Sequence, residues 1–223
     1  MKLSIISLFL LLAITSFSQE NGPSNYVDFT GALGKNQGSV SVDYFHLWKA
    51  GKAKKVEIGL GGRFTSYFGS SQYYSSAPAS LAADESKSDS LLLPITQVNA
   101  LNLAIHLGYR LSAKVGLGFN IDAIGFSFGG KQAGSYINNN QGLAASAKPT
   151  AFNILLVGNN DQGSLNSEFY LRYFVKEDLA IKLAYQYLFT EYTTDTEVQQ
   201  LPEVNDRFRN KASLFSLGIT KQF

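Results

Sequence analysis

The chain has 223 residues, a formal net charge of +2, two histidines and no cysteine. The near-balance of charge gives no basis for a nucleic-acid partner, since the phosphate backbone selects a clear basic surplus. Without cysteine there is no disulfide framework, thiolate zinc site or iron–sulfur cluster, and with two histidines no metal or cofactor is expected.

Residues 1–18 read as a signal peptide. Lys2 is a short positive region, residues 3–14 are an apolar stretch too short to span a bilayer, and Ser16 and Ser18 set the small-x-small pattern before a cut. Residues 19–223 are then one mature domain, exported to a bacterial envelope. In that domain the recurrent signal is alternation with a period of two. Residues 26–33 and 40–48 are weak strands of this kind. In 56–64, Val56, Ile58, Leu60 and Phe64 alternate with Glu57, Gly59, Gly61 and Arg63. In 99–111, Leu101, Leu103, Ile105, Leu107 and Tyr109 alternate with Ala100, Asn102, Ala104, His106 and Gly108. A strand separates two such sets onto opposite faces and a helix does not. The pattern returns in 115–127, with Val115, Leu117, Phe119, Ile121 and Ala123 on one parity. It returns again in 165–175, 179–190 and 211–223, which makes eight strands.

The connections alternate in length. Residues 34–38, 49–55, 112–114 and 176–178 are short, while 67–96, 129–162 and 191–210 are long and read as surface loops. Short turns at one end and long loops at the other describe an all-β, eight-stranded antiparallel up-and-down transmembrane β-barrel. Pairing across the tight turns sets Tyr109 opposite Leu117 and Leu171 opposite Leu183, so apolar parity meets apolar parity. A soluble cup with the apolar parity inside is the competing arrangement. Three features favour the membrane. The polar parity is rich in Gly and Ala, as a narrow filled lumen requires. Aromatic residues such as Tyr44, Trp48, Tyr109, Tyr173, Tyr187 and Phe189 sit toward strand ends as an interfacial girdle. The closing strand also ends on Phe223, in phase with Phe215, Leu217 and Ile219.

The signal ending SFSQ, the alternating strands and the closing strand SLFSLGITKQF resemble the small outer-membrane β-barrels of Bacteroidetes-type bacteria. In architecture they are similar to OmpA/OmpX-type barrels. The resemblance implies the cell outer membrane as location, its lipid as surroundings, and the barrel assembly machinery as a partner that reads Phe223.

The polar parity carries Asp43 and a charge set formed by Glu57, Arg63, Arg110, Asp122, Glu168, Arg172 and Lys182. Arg172 and Lys182 fall opposite each other, so a lumen network is expected, with Glu168 and Asp122 as counter-ions. His106 lies on the lumen parity and His46 beside Trp48, with no adjacent serine to build a hydrolytic site. Within the long loop 129–162, the run 151–157 is apolar. It is expected either to extend a strand as a hairpin or to expose Phe152, Leu155 and Val157 as a patch for an outer-membrane protein partner. A ninth spanning strand is rejected because it would make the count odd. The leading expectation is a non-enzymatic barrel with a structural, surface-loop or complex-accessory role. A narrow, porin-like channel for ions or small solutes is the alternative, and a lipid-modifying enzyme is a third, less favoured reading.

Overall fold

A computed structural model describes residues 24–138 and 141–223. The signal segment 1–18 lies outside the described residues. The strands are β1 (Ser24–Gly34), β2 (Gln37–Ala50), β3 (Val56–Ser76), β4 (Ser90–Arg110), β5 (Val115–Phe128), β6 (Gln132–Asn138), β7 (Gln141–Pro149), β8 (Phe152–Ile154), β9 (Leu165–Lys176), β10 (Leu179–Thr194) and β11 (Arg207–Gln222). A one-turn helix, α1 (Ala79–Ala82), sits between β3 and β4.

Hydrogen bonds close a ring through eight strands in the order β1, β2, β3, β4, β5, β9, β10 and β11, with β11 returning to β1. All these pairs are antiparallel, and a closed ring leaves no unpaired edge. The registers at the tight turns set Tyr109 opposite Leu117 and Leu171 opposite Leu183. A β-bulge in β5 departs from simple alternation. Leu103 pairs with Ile124 and Ala104 with Asp122, so Ala123 is the extra residue. The bulge corrects the sequence parity beyond Ile121: Ile124, Phe126 and Phe128 face outward, and Asp122 stays in the lumen.

The outer face forms an apolar belt. Along β4 and just beyond it, Leu101, Leu103, Ile105, Leu107, Tyr109 and Leu111 are all exposed. At about 3.3 Å per residue and a tilt near 40° this run covers about 25 Å, the height of a lipid-facing band. Such a belt has no place against water, whereas the residues between its members are buried inside. Ile105→Arg is therefore expected to cost about 2–4 kcal/mol in a bilayer, measured as a shift in unfolding midpoint. A soluble variant with an unchanged midpoint would contradict the lipid-facing assignment.

Of the three connections read as long loops, 67–96 and 129–162 are more than half strand, whereas 191–210 is strand only at its two ends. β3 and β4 run 21 residues each, far above the belt. Between them, Ser70 pairs with Ile95 and Gln72 with Leu93, leaving Ser71 and Pro94 facing each other unbonded. Ser71 adopts φ 52°, and Pro94 has no N–H to donate. The two residues kink both strands together, and the inward parity changes from Tyr67 and Val98 below to Tyr74, Leu91 and Leu93 above.

Above the kink the chain closes a second ring. β3 pairs with β4, β4 with β6, β6 with β7, β7 with β10, β10 with β11, and β11 with β3. This six-stranded collar encloses Tyr74, Leu91, Leu93, Tyr136, Ala147, Tyr192 and Phe208, all buried. The β1–β2 hairpin stops at the kink, where the Asn36 carbonyl accepts from the Ser70 N–H and Gln72 Nε2. The collar is thus a roof over the barrel. Tyr136 donates to Asp89 Oδ2 at 2.5 Å, tying the β6–β7 hairpin to the connection ahead of β4. Burial, with that carboxylate beside it, pushes the Tyr136 hydroxyl up to about 12, so it remains a donor at neutral pH.

Candidate functional site

The lumen is filled in layers. Toward the turn end lies an apolar floor of Tyr26, Phe45, Leu47 and Ala104, with Tyr26 stacked on Phe45 at 5.2 Å. His106 packs on this floor, its Nδ1 2.7 Å from Asn120 Oδ1 and 2.9 Å from the Tyr26 hydroxyl, with the Tyr170 ring stacked at 5.8 Å. Toward the other end lies the roof core. Charged side chains form the layer between, placed there because each occupies the inward parity of its strand.

Four carboxylates and three cations make up this layer. Register sets Asp28 of β1 opposite Asp43 of β2, and Asp43 opposite Arg63 of β3. Lys182 of β10 lies opposite Arg172 of β9. Lys182 Nζ donates to Asp28 Oδ2 at 2.8 Å and to Glu168 Oε1 at 2.9 Å, and lies 3.9 Å from Asp43 Oδ2. Arg172 Nη2 donates to the same Asp28 oxygen at 2.8 Å. Arg63 bridges Asp43 at 3.3 Å and Asp122 at 3.2 Å, and its Nη1 also donates to the Asn166 carbonyl. Neutral amides take up further lone pairs: Asn120 and Gln186 donate to Glu168, and Asn102 to Asp122. Asp28, Asp43, Glu168 and Lys182 are each 0% exposed. A buried charge of this kind is tolerated only when its partners are in place.

Oxygens of Asp28, Asp43 and Glu168 lie within 4.8 Å of one another, a donor set that suits a cation. The Lys182 ammonium contacts all three residues. The chain thus provides its own counter-charge at that point.

The geometry differs from the sequence expectation in three respects. Glu168 serves Lys182 and not Arg172; the carboxylate shared by both cations is Asp28. Asp28 sits on a short strand with few charged neighbours, and its signal was its phase with Thr30 against Phe29 and Leu33. Glu57 and Arg110 form their own pair at 3.6 Å near the turn end, where Arg110 also lies 3.7 Å over the Phe174 ring. A further buried cluster was missed altogether. Glu191 of β10 accepts from Arg207 Nε and Arg209 Nη2 of β11, each at 2.8 Å. The Asp161 carbonyl also accepts from Arg209.

The run 151–157 is part of the wall. β8 pairs with β5, placing Phe152 opposite Phe126 and Ile154 opposite Ile124, and Ile154 bridges back to Gln162. Asn153 is buried and donates to Asn102 Oδ1 in the lumen. Phe152 and Val157 are exposed and Leu155 is half-buried, at the upper edge of the lipid belt. β8 adds a short strand to the wall without opening the eight-strand ring. At the opposite end Phe223 and Asn25 exchange backbone hydrogen bonds of 2.9 and 2.8 Å, and the Phe223 side chain is exposed. His46 Nδ1 lies 2.8 Å from Asn25 Oδ1, and its ring packs edge-on to Trp48.

A closed eight-stranded ring inside an apolar belt makes this chain a small β-barrel of the outer-membrane type. No protein-family model matches it, and no curated protein matches it. Among solved structures it is similar to the Neisserial surface protein NspA at 8% identity and TM-score 0.37, over 90% of this chain and 96% of that one. It is similar to the Yersinia pestis outer membrane protein Ail in a phospholipid nanodisc at 10% identity and TM-score 0.42, over 91% of this chain and all of that one. A major outer membrane protein of Thermus thermophilus aligns at 12% identity and TM-score 0.37, over 91% of this chain and all of that one.

Proposed function

We propose that this barrel is a non-conducting, non-enzymatic element of the outer membrane whose role is structural: it fills its own lumen and holds a rigid collar at the cell surface. The observation that carries this reading is the stack of floor, ion layer and roof. Charged groups at 0% exposure leave no room beside them for water, and ions cross a protein only along water or coordinating groups that exchange. The collar supports the surface-display part of the reading, because an apolar core under paired strands gives the loops a fixed base.

Outer-membrane lipid surrounds the belt in this reading, and the barrel assembly machinery reads Phe223 during insertion. Phe152, Leu155 and Val157 lie where a neighbouring membrane protein would meet the wall, which supports a complex-accessory role. The closing strand SLFSLGITKQF supports a place among the Bacteroidetes-type barrels. The test is conductance. Purified protein in planar bilayers is expected to give no steady current above the lipid background. A reproducible, salt-dependent unitary conductance would overturn the structural reading in favour of a channel.

A further inference from the structure

Near-neutrality of the whole chain conceals a separation of charge along the barrel axis. Lys49, at the end of β2, begins a basic turn that continues with Lys52, Lys54 and Lys55. The next turn contributes Lys114, the third Lys176, and the end of β11 Lys221. Against these seven lysines the described residues of the turn end carry three acids, Glu57, Glu177 and Asp178, of which Glu57 is paired with Arg110 and Asp178 with Lys221. The connections at the collar end, residues 34–38, 67–96, 129–162 and 191–210, instead carry nine acids against six bases. Two of the turns are tied into one rim: the Arg110 N–H donates to the Lys55 carbonyl, and the Phe174 N–H to the Lys114 carbonyl. Lys49, Lys52, Lys55, Lys114, Lys176 and Lys221 are exposed.

We infer that this rim is a collar for anionic phospholipid headgroups of the periplasmic leaflet. Three features of the rim select lipid over a soluble acidic partner. The lysines encircle the barrel in every turn and do not form one flat face. They lie close along their strands to Tyr109 and Tyr173, exposed aromatic residues of the kind that mark a membrane–water boundary. Lys221 is on the lipid-facing parity, in phase with Leu217 and Ile219. Ammonium groups held at this depth meet headgroup phosphates, and anionic lipids accumulate beside basic clusters at a membrane surface.

The chain carries its own probe. Trp48 is the single tryptophan and precedes Lys49, so its fluorescence reports the lipid at the rim. The protein is reconstituted in phosphatidylcholine vesicles containing a minor fraction of brominated phosphatidylglycerol or, separately, brominated phosphatidylcholine. Brominated phosphatidylglycerol is expected to quench Trp48 with an apparent association constant about fivefold higher or more. The ratio should fall toward one in 1 M salt. It should fall similarly in the variant carrying Lys52→Gln, Lys55→Gln, Lys114→Gln and Lys176→Gln, whose fold is checked by gel mobility with and without boiling. Equal quenching by both lipids in the unmodified chain would overturn the inference. So would a preference that survives the four substitutions, or high-affinity binding of soluble polyglutamate without any lipid preference.

Discussion

Replacing Lys182 with methionine is expected to lower the stability of the barrel by about 3–5 kcal/mol, read as a reduced urea midpoint in detergent or bilayer. Methionine keeps most of the side-chain volume, so the loss comes from charge. It leaves Asp28, Asp43 and Glu168 with oxygens within 4.8 Å of one another and removes the ammonium that contacts all three residues. Arg172 still holds Asp28 and Arg63 still holds Asp43, which leaves Glu168 as the residue stripped of its cation. Adding Glu168→Gln to Lys182→Met should therefore recover part of the loss, because an amide can occupy that site without carrying an uncompensated charge. Additive losses in the double variant would contradict this pairing. Asp28→Ala is the complementary change: it leaves Arg172 and Lys182 facing each other without the carboxylate they share.

The second large effect is expected in the roof. Phe208 is fully buried in the collar core, its ring 6.1 Å from that of Tyr136. Phe208→Ala should cost about 3–5 kcal/mol. That loss should stay local, because the collar closes its own ring above the kink, through the upper parts of β3, β4, β10 and β11 and the β6–β7 hairpin, while the lower parts of the shared strands pair in the belt. Hydrogen exchange reads the difference. Amides of β6 and β7 should exchange faster, and those of β4 between Leu101 and Tyr109 should keep their protection. Uniform acceleration across both regions would mean that roof and barrel unfold as one unit.

What the sequence made legible follows from where lipid imposes a pattern. Inside the belt, most outward positions are apolar and most inward positions small or polar, the floor residues Tyr26, Phe45 and Leu47 being exceptions, so strands such as β4 and β11 were readable from alternation alone. The tight turns at residues 112–114 and 176–178 then fixed the register. Above the belt the outer face meets water and the inside becomes apolar, so the sense of the alternation reverses. Tyr74, Leu91 and Leu93 point inward there, whereas Leu101 and Leu103 point outward. The β6–β7 hairpin is built largely from Gly, Ala, Ser and Gln, which carry little hydrophobic signal. Both features made the collar read as loop. In the lumen, pairing across a turn revealed Arg172 opposite Lys182. Asp28 reaches them from β1, which β11 separates from β10, and this contact between strands from the two ends of the chain is one that no local spacing encodes.

A closed barrel of this kind requires a lumen that excludes water, and the absence of cysteine allows that to be measured cleanly. Thr30→Cys places one thiol on the lumen face of β1, at a position 1% exposed, and Ser112→Cys places one in an exposed turn. Each variant is treated with a water-soluble maleimide in the folded state and again in urea. Ser112→Cys should label within minutes in both states, and Thr30→Cys only after unfolding. Labelling of folded Thr30→Cys at a rate close to that of Ser112→Cys would mean a water-filled lumen and would contradict the closed barrel.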